Sequence, residues 1–350
     1  MKPNLISAKF LTTILSLFFL IFFSASIFAN EKTIKVIFDN DASSDDAMAL
    51  IYLARKPNVK IEGITVAGTG EAHGPYGASN MADICYLLGK PNIPIAYGRA
   101  EPLSDAGKPF PSFLRDLIDK FLIGKNVPKN PTPNISDSAA ELIKTITEQS
   151  KEKIVILATG PLTNIAQFIQ AYPQLKNKIS KIVIMGGAVR VPGTIRVMDP
   201  DSDNTVAEWN IYADPKAADI VFQSGIPITL VPLDATNQVP MTKEFYDLLS
   251  KQERPDLKLI YQLLKVIVDK FGMDQFLNEF YLWDPLAAMI AIDPKFANVE
   301  SLQLTVTQDT AQTKEVDHSE SGNKIDVAMQ VPDAKNILTI FFDSIKKSRN

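Results

Sequence analysis

One stretch near the start of the chain decides the fold, and it reads Val36-Ile37-Phe38-Asp39-Asn40-Asp41-Ala42-Ser43-Ser44-Asp45-Asp46-Ala47-Met48-Ala49-Leu50. Residues Ile34 to Phe38 form a short apolar run that is rich in β-branched side chains, which predicts a buried parallel strand. From Asp45 to Lys56 apolar residues recur at helical spacing, which predicts a helix. Four carboxylates therefore surround one strand-to-helix turn. In an open parallel sheet such turns lie at the carboxyl edge, where ligands bind.

Two explanations of these carboxylates compete. Ser43 and Asp46 fit a capping box, and acids in a first helical turn interact favourably with the helix dipole. Capping explains Asp46, and Asp45 in part, but it does not explain Asp39 and Asp41 beside them. Like charges this close raise one another's pKa unless a cation lies among them. Because oxygen ligands without Cys or His favour calcium or magnesium over zinc, we interpret the cluster as a site for such a metal.

The composition limits the classes of function. The chain has 350 residues and a formal net charge of −4. It is therefore long enough for one large domain or two small ones, and it has no excess of positive charge for binding nucleic acid. Cys85 is the only cysteine, which excludes an intramolecular disulfide and a cysteine-rich metal site. The apolar neighbours of Cys85 predict a buried, inert thiol.

Residues 1–29 have the pattern of a signal peptide. Lys2 and Lys9 precede an uncharged stretch from Phe10 to Ala29, and Ala29 is a small residue suited to a cleavage site. We predict that the leader is cleaved, that residues 30–350 form a single domain, and that the protein is periplasmic or secreted. The alternative is an uncleaved anchor, because the uncharged stretch is just long enough to span a membrane. In that case the leader would be the only contact with a membrane.

Strand and helix patterns alternate along the rest of the chain. This alternation predicts an α/β fold with an open, mostly parallel sheet, helices on both faces and a Rossmann-like core. Residues 100–134 are rich in Pro, Gly and Lys, and we interpret them as a surface excursion rather than a lid. The remaining strands are predicted at 60–66, 93–97, 153–158, 181–185, 227–233 and 325–330, and the helices at 79–88, 112–122, 136–149, within 242–280 and from 333.

Four segments at the ends of predicted strands or starts of predicted helices resemble signatures of the nucleoside hydrolase family, and they occur in the family's order. The first is the acidic turn, usually Asp-x-Asp-Pro-Gly-x-Asp-Asp, in which Ala42-Ser43 replaces Pro-Gly here. The second, Ala158-Thr159-Gly160-Pro161-Leu162-Thr163-Asn164, matches throughout. The third is Ala207-Glu208-Trp209-Asn210. The fourth is Trp283-Asp284-Pro285, where the family has His-Asp-Pro.

The resemblance implies calcium-dependent hydrolysis of the N-glycosidic bond of a ribonucleoside, the small-molecule partner of the site. It makes Asp41 the general base and a calcium contact, and it leaves Asp39 as a structural acid beneath the turn. Asp203 and its acidic neighbours are interpreted as a solvated loop, and a homo-oligomer is left open. The other implied calcium ligands are Asp46, Asp284 and the Thr159 carbonyl. The implied ribose-binding residues are Asp45, Met185, Asn204, Glu208 and Asn210.

Trp283 stands where the family has its candidate general acid, a histidine. An indole cannot protonate a departing base, but it can stack on a purine. By resemblance to the purine-preferring branch of the family, we predict that Trp283 stacks on the base and that purine nucleosides are favoured. The alternative is that Trp283 only packs against the helix that follows it. His73, in a glycine-rich loop after the second strand, is the one imidazole in a candidate site loop. His318 is predicted to lie on the surface.

Two other classes of protein compete with this prediction. Asp39-Asn40-Asp41-Ala42-Ser43 loosely fits the nucleophile loop of magnesium-dependent phosphatases of the haloacid-dehalogenase type. That interpretation leaves Asp45 and the signatures at Glu208 and Asp284 unexplained. The second competitor is an exported protein that binds nucleosides without cleaving them. Such proteins usually have two lobes joined by hinge crossings, and this sequence has no clear boundary of that kind.

Overall fold

The apolar run that begins at Ile34 forms a central strand of a ten-stranded sheet. This strand, β1 (Ile34–Asn40), pairs in parallel with β2 (Val59–Val66) on one side and β5 (Ile154–Ala158) on the other. The computed structural model describes residues 33–317 and 323–347, and the side chains from Val36 to Phe38 are completely buried in it. The leader predicted at 1–29 and His318 lie outside the described residues.

The sheet confirms the predicted α/β class with mostly parallel strands. Its strands are ordered β4-β3-β2-β1-β5-β6-β7-β10-β8-β9. All pairings are parallel except those of β8 with β10 and with β9, which are antiparallel. The remaining strands are β3 (Ile95–Tyr97), β4 (Ile135–Ser136), β6 (Ile179–Met185), β7 (Ile228–Val231), β8 (Asn298–Val306), β9 (Thr313–Glu315) and β10 (Asn323–Gln330).

The helices lie between these strands and pack in groups. One group packs α1 against α11, α13 and α14, and another packs α5 against α4 and α8. In chain order the α-helices are α1 (Ser44–Arg55), α2 (Gly74–Leu87), α3 (Ser112–Asp119), α4 (Ala139–Gln149), α5 (Thr163–Ala171), α6 (Ile195–Met198), α7 (Trp209–Ala213), α8 (Pro215–Phe222), α9 (Leu233–Thr236), α10 (Lys243–Ser250), α11 (Pro255–Phe271), α12 (Met273–Glu279), α13 (Trp283–Ile292) and α14 (Ile337–Lys346).

Several element boundaries differ from the prediction for identifiable reasons. Helix α2 begins at Gly74 rather than Ser79, because Pro75 fits the first helical turn and His73 takes the N-cap position. Helix α4 begins at Ala139 rather than at residue 136, because residues 135–136 are used by β4, which pairs with β3. Strand β7 ends at Val231, since α9 begins two residues later.

The described residues from Ile34 onward form one compact unit. Cys85 is buried within it, as predicted, and burial raises the pKa of its thiol to about 12. None of the helices in the described part of the chain is both long and apolar enough to cross a membrane.

Candidate active site

The turn after β1 gathers the predicted acids at the carboxyl edge of the sheet. Asp46 Oδ2 accepts hydrogen bonds from the backbone N–H groups of Ser43, at 2.9 Å, and Asp41, at 3.2 Å. The hydroxyl of Thr159, which follows the neighbouring strand β5, donates to Asp46 Oδ1. Asp46 therefore caps helix α1, as the simpler explanation held, and at the same time joins two loops of the site.

Ala42 gives the turn its shape. Its φ angle is +67°, in the left-handed region that residues with a side chain seldom occupy. The backbone N–H of Ala42 donates to Asn40 Oδ1 at 3.0 Å, and Asn40 Nδ2 donates to the Thr65 carbonyl at 3.1 Å. A proline, which stands here in the usual family pattern, could neither adopt this φ nor make this hydrogen bond.

Asp39 lies beneath the turn and has no exposed surface. Its Oδ1 accepts hydrogen bonds from the Thr65 hydroxyl and from Asn164 Nδ2, and its carbonyl accepts one from the backbone N–H of Thr159. Burial raises the pKa of the Asp39 carboxyl to about 7, while the two side-chain donors act in the opposite direction. These contacts fit the structural role that the sequence predicts for this acid.

Two loops approach Asp41 so closely that only glycine fits at the contact. A Cβ placed on Gly70 would lie 2.1 Å from the Cβ of Asp41, and one placed on Gly160 would lie 2.9 Å from it. The next residue after Gly70 is Glu71, whose backbone N–H donates to Asp41 Oδ2 at 3.1 Å. These contacts hold the carboxylate of Asp41 in one position at the wall of the cavity.

The opposite wall is built from the ends of β6 and α7. Glu208 caps α7 by accepting from the N–H of Asn210 at 2.9 Å, and its other oxygen accepts from the N–H of Gly187 at 2.9 Å. The Asn210 amide donates to the carbonyls of Thr159 and Met185, each at 3.2 Å. The Thr159 carbonyl, predicted to bind calcium, thus already has one partner, and its second lone pair remains for a cation.

Asp284 closes the acidic cluster from the first turn of α13. Its carboxyl lies close enough to those of Asp45 and Asp46 to change their pKa values, and the carboxyls of Asp41 and Asp46 affect each other in the same way. Burial, and then the neighbouring negative charges, raise the pKa of the Asp41 and Asp284 carboxyls well above the ordinary value. The pKa of Asp45 rises to about 6 for the same reasons. Carboxyls in contact require a proton or a cation between them.

The chemistry of these donors fits a hard cation. In the described ranges, no three His, Cys, Asp or Glu side chains have the arrangement of a ready-made metal site. The carboxyls instead lie close to one another in pairs. The cavity beside them is lined by several carboxylates, and no Lys, Arg or His of the described residues lines it. Oxygen donors that lack a positive partner suit calcium or magnesium.

Most of the predicted site residues line this one cavity. Asp46 lies just behind its wall. Asn204 is not at the cavity: its amide donates to the Thr310 carbonyl at 2.8 Å, and its oxygen accepts from the N–H of Ala207 at 2.9 Å. The side chain of Asn204 therefore shapes its own loop. The predicted residues that line the cavity are Asp41, Asp45, Thr159, Met185, Glu208, Asn210, Trp283 and Asp284.

Glu71 is a cavity residue that the sequence analysis did not identify. Burial raises the pKa of its carboxyl well above the ordinary value, with further increases from the charges of Asp45, Asp46 and Glu208. The available signal was its place in the glycine-rich loop after β2, because the carboxyl ends of parallel strands share one edge of the sheet.

Comparison with known proteins identifies the family. The family model for inosine-uridine preferring nucleoside hydrolases matches residues 36–338. The chain belongs to the nucleoside hydrolase family.

Individual nucleoside hydrolases resemble this chain over most of its length. The pyrimidine-specific ribonucleoside hydrolase RihA of Klebsiella pneumoniae is 31% identical over 68% of this chain and 74% of its own. The structure of an inosine-uridine preferring nucleoside hydrolase from Bacillus anthracis matches with a TM-score of 0.77 and 26% identity, covering 90% of this chain and all of the other. A purine-preferring ribonucleoside hydrolase from Gardnerella vaginalis matches with a TM-score of 0.72 and 27% identity, covering 89% and 98%.

The family of this nucleoside hydrolase gives its general activity, which is the hydrolysis of the N-glycosidic bond of ribonucleosides. Family membership favours this hydrolase over the phosphatase and the solute-binding protein considered above. The names of the relatives differ in the base, since one is called pyrimidine-specific and another purine-preferring.

In this nucleoside hydrolase the segment 100–134, the covering segment, contributes to the cavity wall through residues 110–118, so its interpretation as a surface excursion was wrong for these residues, while many of its other residues are exposed. Phe110, Leu114 and Ile118 are each at most 4% exposed, and all three line the cavity. The ring of Phe110 stacks on Trp209 with centroids 4.9 Å apart. The helical spacing of the two aliphatic residues was the sequence signal that this segment packs inward.

Arg115 joins the covering segment to the loop that carries Glu71. It is 8% exposed, and one guanidinium nitrogen donates to the carbonyls of Gly68, at 2.7 Å, and Ala72, at 3.1 Å. The bonded carbonyls lie on either side of Glu71. The covering segment therefore fixes a wall of the site as well as enclosing it.

We expect Arg115→Met to lower the free energy of unfolding by about 1.5–3 kcal/mol, because it removes charge-assisted hydrogen bonds and leaves two carbonyls without that donor. Urea unfolding measures this change. Lys120→Met is the matched control, since Lys120 is exposed and lies just after helix α3, which contains Arg115. Equal stability of the two variants would show that Arg115 does not hold the loop.

Proposed function

We propose that the protein is a calcium-dependent hydrolase of ribonucleosides with a preference for purine bases. The convergence of buried carboxyls on one cavity supports the metal, because they contact one another and no cationic side chain of the described residues lines the cavity with them. The aromatic surface that continues from Trp283 supports the choice of base. The leader supports a further proposal, that the protein is exported to the periplasm or secreted.

Calcium would be held by Asp41, Asp46, Asp284 and the Thr159 carbonyl. These groups come from the loop after β1, the start of α1, the start of α13 and the end of β5, so they converge from separate elements. Three of them line the cavity, and Asp46 lies just behind its wall. When bound, calcium would supply positive charge that offsets the carboxylates and polarises water and sugar hydroxyls.

The residues of the chain divide the remaining chemistry. Asp41 takes a proton from the attacking water as the water oxygen bonds to C1′. The C1′–N bond breaks, and its electron pair leaves with the base. Asp45, Glu208 and Asn210 hold the ribose hydroxyls, which orients the sugar for attack and favours ribose over deoxyribose.

Trp283 is the proposed contact for the base. Its ring lies 5.6 Å from that of Phe280 and 5.9 Å from that of Tyr281, so one face of the cavity is continuously aromatic. Its buried indole N–H has no hydrogen-bond partner in the described parts of the chain. A purine offers a larger surface for stacking on this wall than a pyrimidine does.

The release of free ribose from inosine, adenosine, guanosine, uridine and cytidine tests this proposal. We expect ribose from all three purine nucleosides, at higher kcat/KM than from the two pyrimidine nucleosides. Faster cleavage of uridine than of inosine would overturn the purine preference. Absence of ribose from all five would overturn the proposed function.

We expect Asn210→Ala to lower kcat on inosine by about 100- to 1,000-fold, the range typical for removal of one positioned donor, and to raise KM much less. The reason is that the amide would contact the sugar most strongly in the transition state. Steady-state kinetics with inosine measure both constants, and Asn336→Ala, at an exposed amide, is the control. An unchanged kcat would remove Asn210 from the reacting part of the site.

A further inference from the structure

The cavity has an excess of acidic over basic side chains. Five carboxylates line it, and none of the described lining residues is Lys, Arg or His. When all five are ionised, one calcium ion would offset two of their charges. Glu71 contributes to the excess although the proposed reaction gives it no role. The lining carboxylates are Asp41, Asp45, Glu71, Glu208 and Asp284.

The rest of the cavity wall is rich in aromatic rings that contact one another. Phe276 stacks on Phe280 with centroids 5.9 Å apart, and Phe280 in turn contacts Trp283. The aromatic wall and the carboxylates meet at two places where an acid and a tryptophan are consecutive, Glu208-Trp209 and Trp283-Asp284. The face of an aromatic ring beside negative charge attracts a cationic ring more strongly than it attracts a neutral ring of the same size.

Hydroxyl groups are scarce beside the aromatic rings of the cavity. Among the described lining residues, the hydroxyls of Ser43, Ser44 and Thr159 belong to the acidic loops, which leaves those of Thr194 and Tyr281. The Tyr281 hydroxyl donates to the Asn278 carbonyl at 3.2 Å. The described imidazole, His73, is paired with Asp119 at 2.7 Å and lines a different cavity. A neutral nucleobase leaves as an anion unless it receives a proton, so the wall gives such a base little assistance.

We infer that the substrates used most efficiently are ribosides whose base already carries a positive charge, namely N-ribosylpyridinium compounds and N7-alkylated purine ribosides. This inference rests on the proposed function. In these substrates the C1′–N electron pair passes to the ring as the bond breaks, so the base leaves neutral and needs no proton. The water oxygen bonds to C1′, and the water proton passes through Asp41 to solvent. The products are ribose, the neutral base and one proton.

The first experiment compares adenosine with 7-methyladenosine, which has the same sugar and ring but carries a permanent positive charge. Nicotinamide riboside is the second cationic substrate. Because cationic ribosides also hydrolyse faster without enzyme, each kcat/KM is divided by the uncatalysed rate. We expect this ratio to be higher by about tenfold or more for the cationic ribosides. If neither adenosine nor any other riboside releases ribose, the proposed function fails; if adenosine has an equal or higher ratio, this inference alone fails.

A second measurement separates binding from bond breaking. 1-Methylnicotinamide and nicotinamide differ in charge, and neither contains a bond that the enzyme cleaves. We expect the cation to inhibit the hydrolysis of inosine at a concentration lower by about tenfold. Equal inhibition by the two compounds would overturn the inference.

Three variants identify the groups responsible. Trp283→Leu should reduce the ratio of cationic to neutral inhibitor affinity, Trp283→Phe should retain most of it, and Tyr86→Leu, at an exposed ring outside the cavity, should leave it unchanged. Loss of the ratio in all three would overturn the role of the aromatic wall.

A fourth variant tests for a proton donor. Tyr281→Phe should affect the cleavage of adenosine and of 7-methyladenosine equally. If it abolishes only adenosine cleavage, Tyr281 is a proton donor and the inference fails.

Discussion

Replacing Asp41 with asparagine is expected to lower kcat on inosine by about 1,000- to 10,000-fold, the upper part of the range for general acid–base catalysis. The carboxylate is the proposed base, and it is fixed by its contacts with Asp46 and with the Glu71 backbone. An amide of the same shape keeps the packing beside Gly70 and Gly160 but cannot take the proton. Single-turnover and steady-state rates measure the effect.

Asp105→Asn is the control for this substitution, because Asp105 is exposed and lies in the covering segment. Circular dichroism and thermal unfolding should show that both variants fold. A folded Asp41→Asn variant with more than a tenth of the wild-type kcat would contradict the assignment of the base.

Removal of calcium is expected to abolish turnover of inosine, and added calcium to restore it. Asp284→Asn should weaken calcium binding by about 100-fold or more, since even the loss of groups behind the ligands costs 10- to 100-fold. Isothermal titration calorimetry of the chelator-treated protein measures this without reference to activity. The cause is the loss of one buried, negatively charged ligand of calcium. No Lys, Arg or His of the described residues lines the cavity, so calcium would be the cationic partner of these carboxylates there.

Two results would contradict the calcium prediction. One is full activity of the protein after the metal has been removed and its absence verified. The other is equal calcium affinity of Asp284→Asn and Asp333→Asn, the latter at an exposed carboxylate far along the chain. Thermal unfolding adds an independent check. Without calcium, Asp284→Asn should be more stable than wild type, because it removes repulsion between contacting carboxyls.

The central elements of the fold could be predicted because their sequences satisfy local rules. The run ending at Phe38 is apolar and β-branched and forms the central strand, and Pro161 marks the turn before α5. Strands β8 and β9 were not predicted. Many of their side chains are exposed, so they lack the apolar run by which a buried strand is found. Strand β9 pairs with β8, and β8 in turn pairs with β10, so none of the three is flanked on both sides by buried parallel strands.

The site was predictable where motifs follow buried strands, and less so in the loops. Asp41, Glu208 and Asp284 stand at fixed positions next to regular elements, and the structure brings them to one cavity. Asn204 lies in a loop that is shaped by the hydrogen bonds of its own side chain. The presence of an amide at this position therefore did not show where the side chain would point. Glu71 is a single acid among glycines, and only the parallel pairing of β1 with β2 places it beside Asp41.

The left-handed conformation of Ala42 constrains how this enzyme and the Pro-Gly members of its family can be connected by evolution. A change to proline at position 42 alone would require a φ near −65° and would remove the N–H that Asn40 accepts. Asp41, the proposed base next to it, would then move. A glycine at position 42 is compatible with the present turn and would relieve its strain. The backbone of this turn must therefore be reorganised before proline becomes acceptable at position 42.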